Sequence, residues 1–160
     1  MIKIRIIALG RLKERYLREA FDEYVKRIKG YASVEVIELE PERLREAPSK
    51  AEIEKALLSE AAAIKKKIPE SAFVVAMCIE GKQFSSEGFH DILSDCINQG
   101  KGIPTFIIGS SYGLHESIKK LADVKISFSA MTFPHRLFRI MLVEQLYRSF
   151  KIDAGAEYHK

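Results

Sequence analysis

The chain has 160 residues, of which 47% are hydrophobic and 30% charged, a composition typical of a globular protein with one domain. A net charge of +4 permits a nucleic-acid partner without requiring one. The opening run MIKIRIIALG is too short to span a membrane and lacks a signal-cleavage site, so we expect a cytoplasmic protein. Cys78 and Cys96 lack metal-ligand spacing, and we expect both thiols to be reduced.

Strands and helices alternate along the chain. The sequence predicts strands over 2–9, 34–39, 72–79, 103–108 and 124–128. Between them it predicts helices over 14–29, 50–67 and 85–98, and one that ends at about 121. The third and fourth strands are continuously apolar, which is typical of strands buried on both faces of a parallel sheet. With no linker or repeat, residues 1–160 are predicted to form one α/β domain with a mostly parallel sheet flanked by helices.

A final helix is predicted from Pro134 to about Phe150. Proline suits the first turn of a helix, and Thr132 can act near its N-cap. The apolar positions are too many for a single stripe, so we expect a second copy of the chain to cover part of this helix. Glu144 and Arg148 lie one turn apart and can form an ion pair.

A glycine turn, Gly109 to Gly113, follows the fourth strand. Glycine lets the backbone approach a ligand closely, although an ordinary strand-to-helix turn explains the same pattern. Gly109→Val is expected to abolish ligand binding and leave the fold largely intact. The turn lacks the G-x-G-x-x-G and P-loop patterns. It does match G-x-S-x-G with Ser111 as a hydrolase nucleophile, for which Asp123 or Asp153 and His135 or His159 are the available partners.

Cationic and aromatic residues gather towards the end of the chain, after Pro134. Arginine binds phosphate, and aromatic rings stack on exposed bases, although Arg139 and Arg148 could simply reach from a buried helix to solvent. The chain ends on Tyr158-His159-Lys160 after Gly155, and we expect this tail to complete a site. The set comprises His135, Arg136, Arg139, Arg148, Tyr158, His159 and Lys160.

Other polar residues carry weaker signals. Arg11, Lys13, Arg15 and Arg18 follow the first strand and could contact RNA phosphates or simply face solvent. The lysines at 65–67 are expected to be a solvated helix end. His90 and His115 lack partners at a meaningful spacing and are expected to be incidental.

Five motifs together resemble the RlmH family of ribosomal RNA large subunit methyltransferases: GKQFSSEGF, FIIGSSYGL, SFSAMTFPHRLFR, EQLYRSFKI and the terminal YHK. The resemblance implies a SPOUT-type α/β fold with a deep trefoil knot near the C-terminus, acting as a homodimer. It further implies S-adenosylmethionine as cofactor and methylation of N3 of a pseudouridine in helix 69 of 23S ribosomal RNA, within the large subunit or the assembled ribosome.

Because the sequence lacks metal-ligand spacing, we expect a site without metal. Carried over by position from the family, the cofactor pocket comprises Met77, Gly109, Phe128, Ser129, Ala130, Met131, Thr132 and Phe133. His159 is the candidate base for the N3 proton, Arg139 the candidate to stabilise the anion or grip a phosphate, and Tyr158 a stacking residue. Ser110 departs from the two successive glycines common in the family, a change that the turn tolerates only if Ser110 adopts ordinary φ and ψ angles. A Ser111 hydrolase and a catalytically inactive RNA-binding module remain the alternatives.

Overall fold

The computed structural model describes residues 1–157, which form five strands and five helices in strict alternation. The strands are β1 (Ile2–Leu9), β2 (Ala32–Leu39), β3 (Ala72–Gln83), β4 (Ile103–Ile108) and β5 (Val124–Ser127). The helices are α1 (Arg15–Ile28), α2 (Lys50–Lys65), α3 (Ser86–Asn98), α4 (Glu116–Leu121) and α5 (His135–Asp153). The α/β class and the order of elements predicted from the sequence are confirmed.

All five strands are parallel and lie in the order β2-β1-β4-β3-β5. Because every strand runs the same way, all the carboxyl ends meet at one edge of the sheet. Loops that follow parallel strands at this edge are where α/β proteins build their ligand sites.

Helices cover both faces of the sheet. Along β1, Ile4 and Ile6 pack with α1, α3 and α5, whereas Ile7 and Leu9 pack with α2 and, through Ile118, with α4. This alternation follows from the period of two in a strand, and it explains why β1 is apolar at successive positions. Residues 1–157 therefore form two hydrophobic cores separated by the sheet.

The final helix, α5, packs against both α1 and α3. It begins at His135 with Pro134 as its N-cap, and no side chain caps it, so the capping role expected for Thr132 is wrong. It ends at Asp153, beyond the predicted end at Phe150. Leu142, Val143, Leu146 and Phe150 are buried within one protomer, so α1 and α3 supply much of the cover that we expected from a second copy. The trefoil knot stays a prediction.

Strand β3 is four residues longer than predicted, and its pairing with β5 is interrupted. The register shifts between Met77 and Lys82, which leaves residues 78–81 as a bulge. A Cβ at Gly81 would lie 2.7 Å from the carbonyl carbon of Ile126, so glycine lets the end of the bulge press against β5. Residues 78–81 of this bulge therefore lie at the carboxyl edge of the sheet.

In residues 1–157, none of the helices is both long enough and apolar enough to cross a lipid bilayer.

Candidate functional site

A cleft of about 610 Å³ opens at the carboxyl edge of the sheet. Three segments wall it: the bulge of β3, the turn after β4, and the chain that joins β5 to α5. Its volume lies in the range of small-molecule sites. The residues that line it are Met77, Cys78, Ile79, Glu80, Ile108, Gly109, Ser110, Ser111, Tyr112, Gly113, Leu114, Lys119, Ile126, Ser127, Phe128, Thr132, Phe133, Pro134, His135 and Phe138.

The turn over 109–113 forms the first wall. It closes tightly, because the Gly113 N–H donates to the Ser110 carbonyl at 2.9 Å and Gly113 adopts a φ of 83°. A Cβ at Gly109 would lie 2.3 Å from the Gly113 carbonyl oxygen. Gly109 is therefore required by the turn itself, and the expectation that Gly109→Val would leave the fold intact is wrong.

Ser110 joins this turn to α2. Its hydroxyl donates to Glu60 Oε1 at 2.8 Å, while the Glu42 N–H donates to Glu60 Oε2 at 2.9 Å. Glu60 is only 5% exposed, and a buried carboxyl group requires such donors. Among residues 1–157, only glycines have positive φ, so Ser110 meets the condition of ordinary backbone angles.

The bulge of β3 forms the second wall. Lys119 of α4 donates a hydrogen bond to Glu80 and another, at 3.3 Å, to Glu116. Burial opposes the positive charge of Lys119, but the two carboxylates raise its pKa above the ordinary value, and the hydrogen bond from Lys119 lowers the pKa of Glu80. The pair therefore stays charged and gives the cleft a polar rim. Burial raises the pKa of the neighbouring Cys78 thiol, which keeps it protonated.

The chain between β5 and α5 forms the third wall. Phe128, Thr132 and Phe133 line the cleft, as does Met77 behind them. Of the intervening residues, Ala130 and Met131 are exposed. Two hydrogen bonds hold this stretch: the Ser127 hydroxyl donates to the Ser129 carbonyl at 3.0 Å, and the Met131 N–H donates to Ser129 Oγ at 2.9 Å.

Five of the eight predicted cofactor residues thus meet in one cleft, namely Met77, Gly109, Phe128, Thr132 and Phe133. Ser129, Ala130 and Met131 do not line it, and the Met131 side chain is 71% exposed. A cofactor role for those three residues stays a prediction of the family resemblance.

His135, the first residue of α5, lines the cleft and lies beside Gly10 at the end of β1. A Cβ at Gly10 would be 3.5 Å from His135 Nε2. Burial lowers the pKa of this imidazole, and the positive charges of Arg136 and Arg139 lower it further. The ring is consequently neutral at pH 7 and can accept a proton.

Arg139 lies one turn further along α5 and does not line the cleft. Its side chain is 2% exposed and donates to Glu38 and to the Gly10 carbonyl, the latter at 2.9 Å. In residues 1–157 its Nε has no hydrogen-bond partner. The expected alternative, an arginine reaching to solvent, is therefore wrong, and Arg139 instead fixes the ends of β1 and β2 beneath His135.

Two histidines that the sequence left without partners have structural roles. His115 Nδ1 accepts the Ser117 N–H at 3.1 Å at the start of α4, and Nε2 lies 2.7 Å from Glu54 Oε1. His90 Nδ1 lies 2.9 Å from Ser149 Oγ, which joins α3 to α5.

The ion pair predicted between Glu144 and Arg148 of α5 is confirmed, with a distance of 2.7 Å between Arg148 Nη2 and Glu144 Oε1.

The described part of the chain contains no serine–histidine–carboxylate triad around Ser111, as a hydrolase would require. Ser111 is exposed on the turn, and no histidine or carboxylate within residues 1–157 is hydrogen-bonded to it. Tyr158 and His159, the predicted stacking residue and base, lie outside the described residues.

Most of the second wall was not predicted from the sequence. Ile79, Glu80 and Lys119 line the cleft, yet none was singled out. The only available signal was Glu80-Gly81 at the end of an apolar strand, a pattern that can mark a bulge. Lys119 looked like an ordinary solvated lysine, because its partner Glu80 is 39 residues away in sequence.

Comparison with known proteins places the chain in a family. Residues 2–159 match the family model described as "Predicted SPOUT methyltransferase". A protein of Streptococcus uberis named "Ribosomal RNA large subunit methyltransferase H" is 46% identical over 159 residues, covering 99% of this chain and 100% of that protein. A protein of the same name from Streptococcus suis is also 46% identical over the same lengths.

Solved structures with little sequence similarity share the fold. A probable methylase family protein from Haemophilus influenzae superposes with a TM-score of 0.53 at 12% identity, over 99% of this chain and 70% of that one. A tRNA (m1G37) methyltransferase from Aquifex aeolicus gives 0.51 at 16% identity, over 91% and 69%. The matched family model, the full-length relatives and the parallel α/β architecture agree: this chain belongs to the SPOUT methyltransferase family.

Proposed function

We propose that this protein transfers a methyl group from S-adenosylmethionine to N3 of a pseudouridine in helix 69 of 23S ribosomal RNA. The observation that carries the proposal is the cleft at the carboxyl edge, which gathers Met77, Gly109, Phe128, Thr132 and Phe133 in a chain of the SPOUT family. The full-length relatives named for methylation of large-subunit ribosomal RNA supply the substrate class.

The cleft suits this cofactor in size and lining. Met77, Phe128 and Phe138 offer apolar surface for an adenine ring, and the charged pair of Glu80 and Lys119 offers partners for polar groups. When bound, S-adenosylmethionine supplies an electrophilic methyl group on its sulfonium. The chain must orient that group, exclude water and remove the N3 proton of the pseudouridine.

Two histidines are candidates to accept the N3 proton. His135 lines the cleft with a neutral ring, and His159 is the base that the family resemblance suggests. Tyr158 is proposed to stack on the target base. Arg139 acts through its contacts with Glu38 and Gly10, which orient the start of α5, and it thereby becomes a positioning residue that favours negative charge nearby.

The enzyme is proposed to work as a homodimer in the cytoplasm. Part of α5 remains open in the protomer: Leu137 is 38% exposed, and a second hollow of about 340 Å³ is lined by Tyr24, Ile140 and Met141 among others. A second copy would cover this surface, and the tail of one chain could then complete the cleft of its mate.

Methyl transfer to ribosomes tests the proposed activity. Ribosomes that carry the unmethylated pseudouridine are incubated with radiolabelled S-adenosylmethionine, and the modified nucleoside is identified by mass spectrometry. We expect 3-methylpseudouridine from helix 69 and no label in ribosomes that have uridine at that position. Label in another nucleoside would refute the assigned substrate, and absence of cofactor binding would favour the RNA-binding module.

The role of the tail is tested with the same ribosomes. Deleting Tyr158, His159 and Lys160 should lower methyl transfer by at least about 100-fold, the effect of losing an acid-base group. Cofactor affinity should stay within about twofold, because the cleft is built from residues 77–138. Turnover equal to that of the intact chain would return proton acceptance to His135.

A further inference from the structure

The loop between β1 and α1 lies at the same edge of the sheet as the cleft. Residues 10–14 follow the carboxyl end of β1, and the backbone of Gly10 approaches His135, which lines the cleft. A large substrate whose target base enters the cleft must therefore extend over neighbouring surface at this edge, and this loop is part of it.

The backbone of this loop is held in place by side chains. The Gly10 N–H donates to the Leu39 carbonyl at 2.8 Å, and Arg139 donates to the Gly10 carbonyl at 2.9 Å. Arg18 donates to the carbonyls of Leu12 and Lys13 at 3.3 and 3.2 Å. A loop fixed in this way can display side chains at little entropic cost on binding.

Two cations project from the fixed loop. Lys13 is exposed and, within the described chain, has no ion-pair partner. Arg11 is 71% exposed, and its only ion-pair contact there is with Glu40, itself 79% exposed, at 3.5 Å. An ion pair between two such exposed groups contributes little, so phosphate can replace Glu40.

An exposed aromatic residue follows these cations closely in the chain. Tyr16, in the first turn of α1, is 70% exposed. Unpaired RNA bases stack on such rings, and the combination of cations with an aromatic platform is typical of surfaces that bind single-stranded or looped RNA.

We propose that Arg11, Lys13 and Tyr16 form an RNA-docking surface that holds the nucleotides flanking the target base. Arg11 and Lys13 bind phosphates, and Tyr16 stacks on an unpaired base. This inference rests on the proposed function, since the RNA is the substrate of the neighbouring cleft. The RNA would therefore reach the cleft from the side of β1.

The chain offers a matched control at the opposite edge of the sheet. Lys65 and Lys66 are exposed at the carboxyl end of α2, just before β3 begins. Substituting them removes the same charge as substituting Arg11 and Lys13. The two variants lose equal charge at opposite edges of the sheet, so general electrostatic attraction to RNA is separated from docking.

The test measures binding to ribosomes that carry the unmethylated pseudouridine, at salt concentrations from about 50 to 200 mM. We expect the Arg11→Gln/Lys13→Gln variant to raise Kd at least about tenfold and to flatten the dependence of log Kd on log salt by about 1.5, for two lost phosphate contacts. The Lys65→Gln/Lys66→Gln variant should keep nearly the wild-type slope, and both should bind S-adenosylmethionine normally.

Tyr16 is tested by a pair of substitutions. Tyr16→Leu should weaken ribosome binding about fivefold or more, whereas Tyr16→Phe should retain it, because the ring and not the hydroxyl stacks. Wild-type affinity and salt slope in the Arg11/Lys13 variant, or an equal loss in the Lys65/Lys66 variant, would overturn the docking surface. Failure of the wild-type enzyme to methylate these ribosomes would instead refute the proposed function, and the binding comparison would still decide the surface.

Discussion

Gly109 shows how a single residue fixes the shape of the cleft. Its Cα faces the carbonyl of Gly113 so closely that a Cβ would lie 2.3 Å from the oxygen. Because both sides of this contact are backbone, no side chain can move aside to make room. Any larger residue must open the turn over 109–113, which is a wall of the cleft.

We therefore predict that Gly109→Ala lowers the free energy of unfolding by about 1–3 kcal/mol, the usual cost of overpacking, and weakens S-adenosylmethionine binding as well. Gly30→Ala is the matched control, because a Cβ there meets nothing within 4 Å. Urea denaturation and calorimetry measure the two effects. A Gly109→Ala protein with the stability and affinity of the control would contradict this account of the turn.

His135 predicts a pH dependence. Burial and the neighbouring arginines lower its pKa below the ordinary 6.5, so the neutral form persists as the pH falls through 6.5. If His135 is the base, the acidic limb of kcat/KM, which reports groups of the free enzyme, should have its midpoint below 6.5, and His135→Gln should abolish that limb. A midpoint above 7, or the same limb in the variant, would assign the titration to another group.

The same shift has a consequence for stability. A histidine whose folded pKa is lowered binds protons more tightly in the unfolded chain, so its contribution is fully present above the unfolded pKa and is lost as the pH falls through the folded pKa. The wild-type protein should consequently lose more stability between neutral and mildly acidic pH than His135→Gln does.

The hydrogen bond from the Ser110 hydroxyl to the Glu60 carboxylate connects the turn after β4 with α2. Ser110→Ala would leave the buried Glu60 carboxyl short of one donor, so the free energy of unfolding should fall by about 1–3 kcal/mol. Ser33→Ala is the control, because its hydroxyl makes only a 3.5 Å exposed contact with the Ile2 carbonyl. Urea denaturation compares the two variants, and equal stabilities would remove this structural role of Ser110.

Local patterns predicted every strand and helix, because apolar periodicity and turn residues are properties of neighbouring positions. They did not predict the extension of β3 to Gln83, since Glu80, Gly81 and Lys82 break the apolar run. Nor did they predict the strand order. The contact of Glu60 with Ser110 joins residues 50 apart in sequence, and that of Arg139 with Glu38 joins residues 101 apart. Such contacts depend on how the elements pack, which no local pattern contains.

The residues of the candidate site also fall into those that the sequence predicted and those that it did not. Gly109 and the segment from Phe128 to Phe133 were found through motifs that resemble a known family, and most of them line the cleft. His115, by contrast, caps α4 through its ring, a role that serine or aspartate usually fills. The residue type gave no indication of it.

The open surface of α5 predicts a dimer. Met141→Glu would place a carboxylate among Tyr24, Phe84 and Ile140, so a dimer that buries this hollow should dissociate. Leu58→Glu is the control. Leu58 is 53% exposed on α2, and α2 packs on the face of the sheet opposite to α5. Sedimentation equilibrium should show dimers for the wild type and the control and monomers for Met141→Glu. A monomeric wild type at micromolar concentration would refute the dimer.

We propose that the methyl donor occupies the cleft at the carboxyl edge of the sheet. A crystal structure of the protein with S-adenosylhomocysteine tests it most directly. We predict density for the ligand between the turn over 109–113 and the chain from Phe128 to Phe133, with the adenine against Met77 or Phe138 and within reach of His135. Ligand density at any other surface, with this cleft empty, would contradict the account.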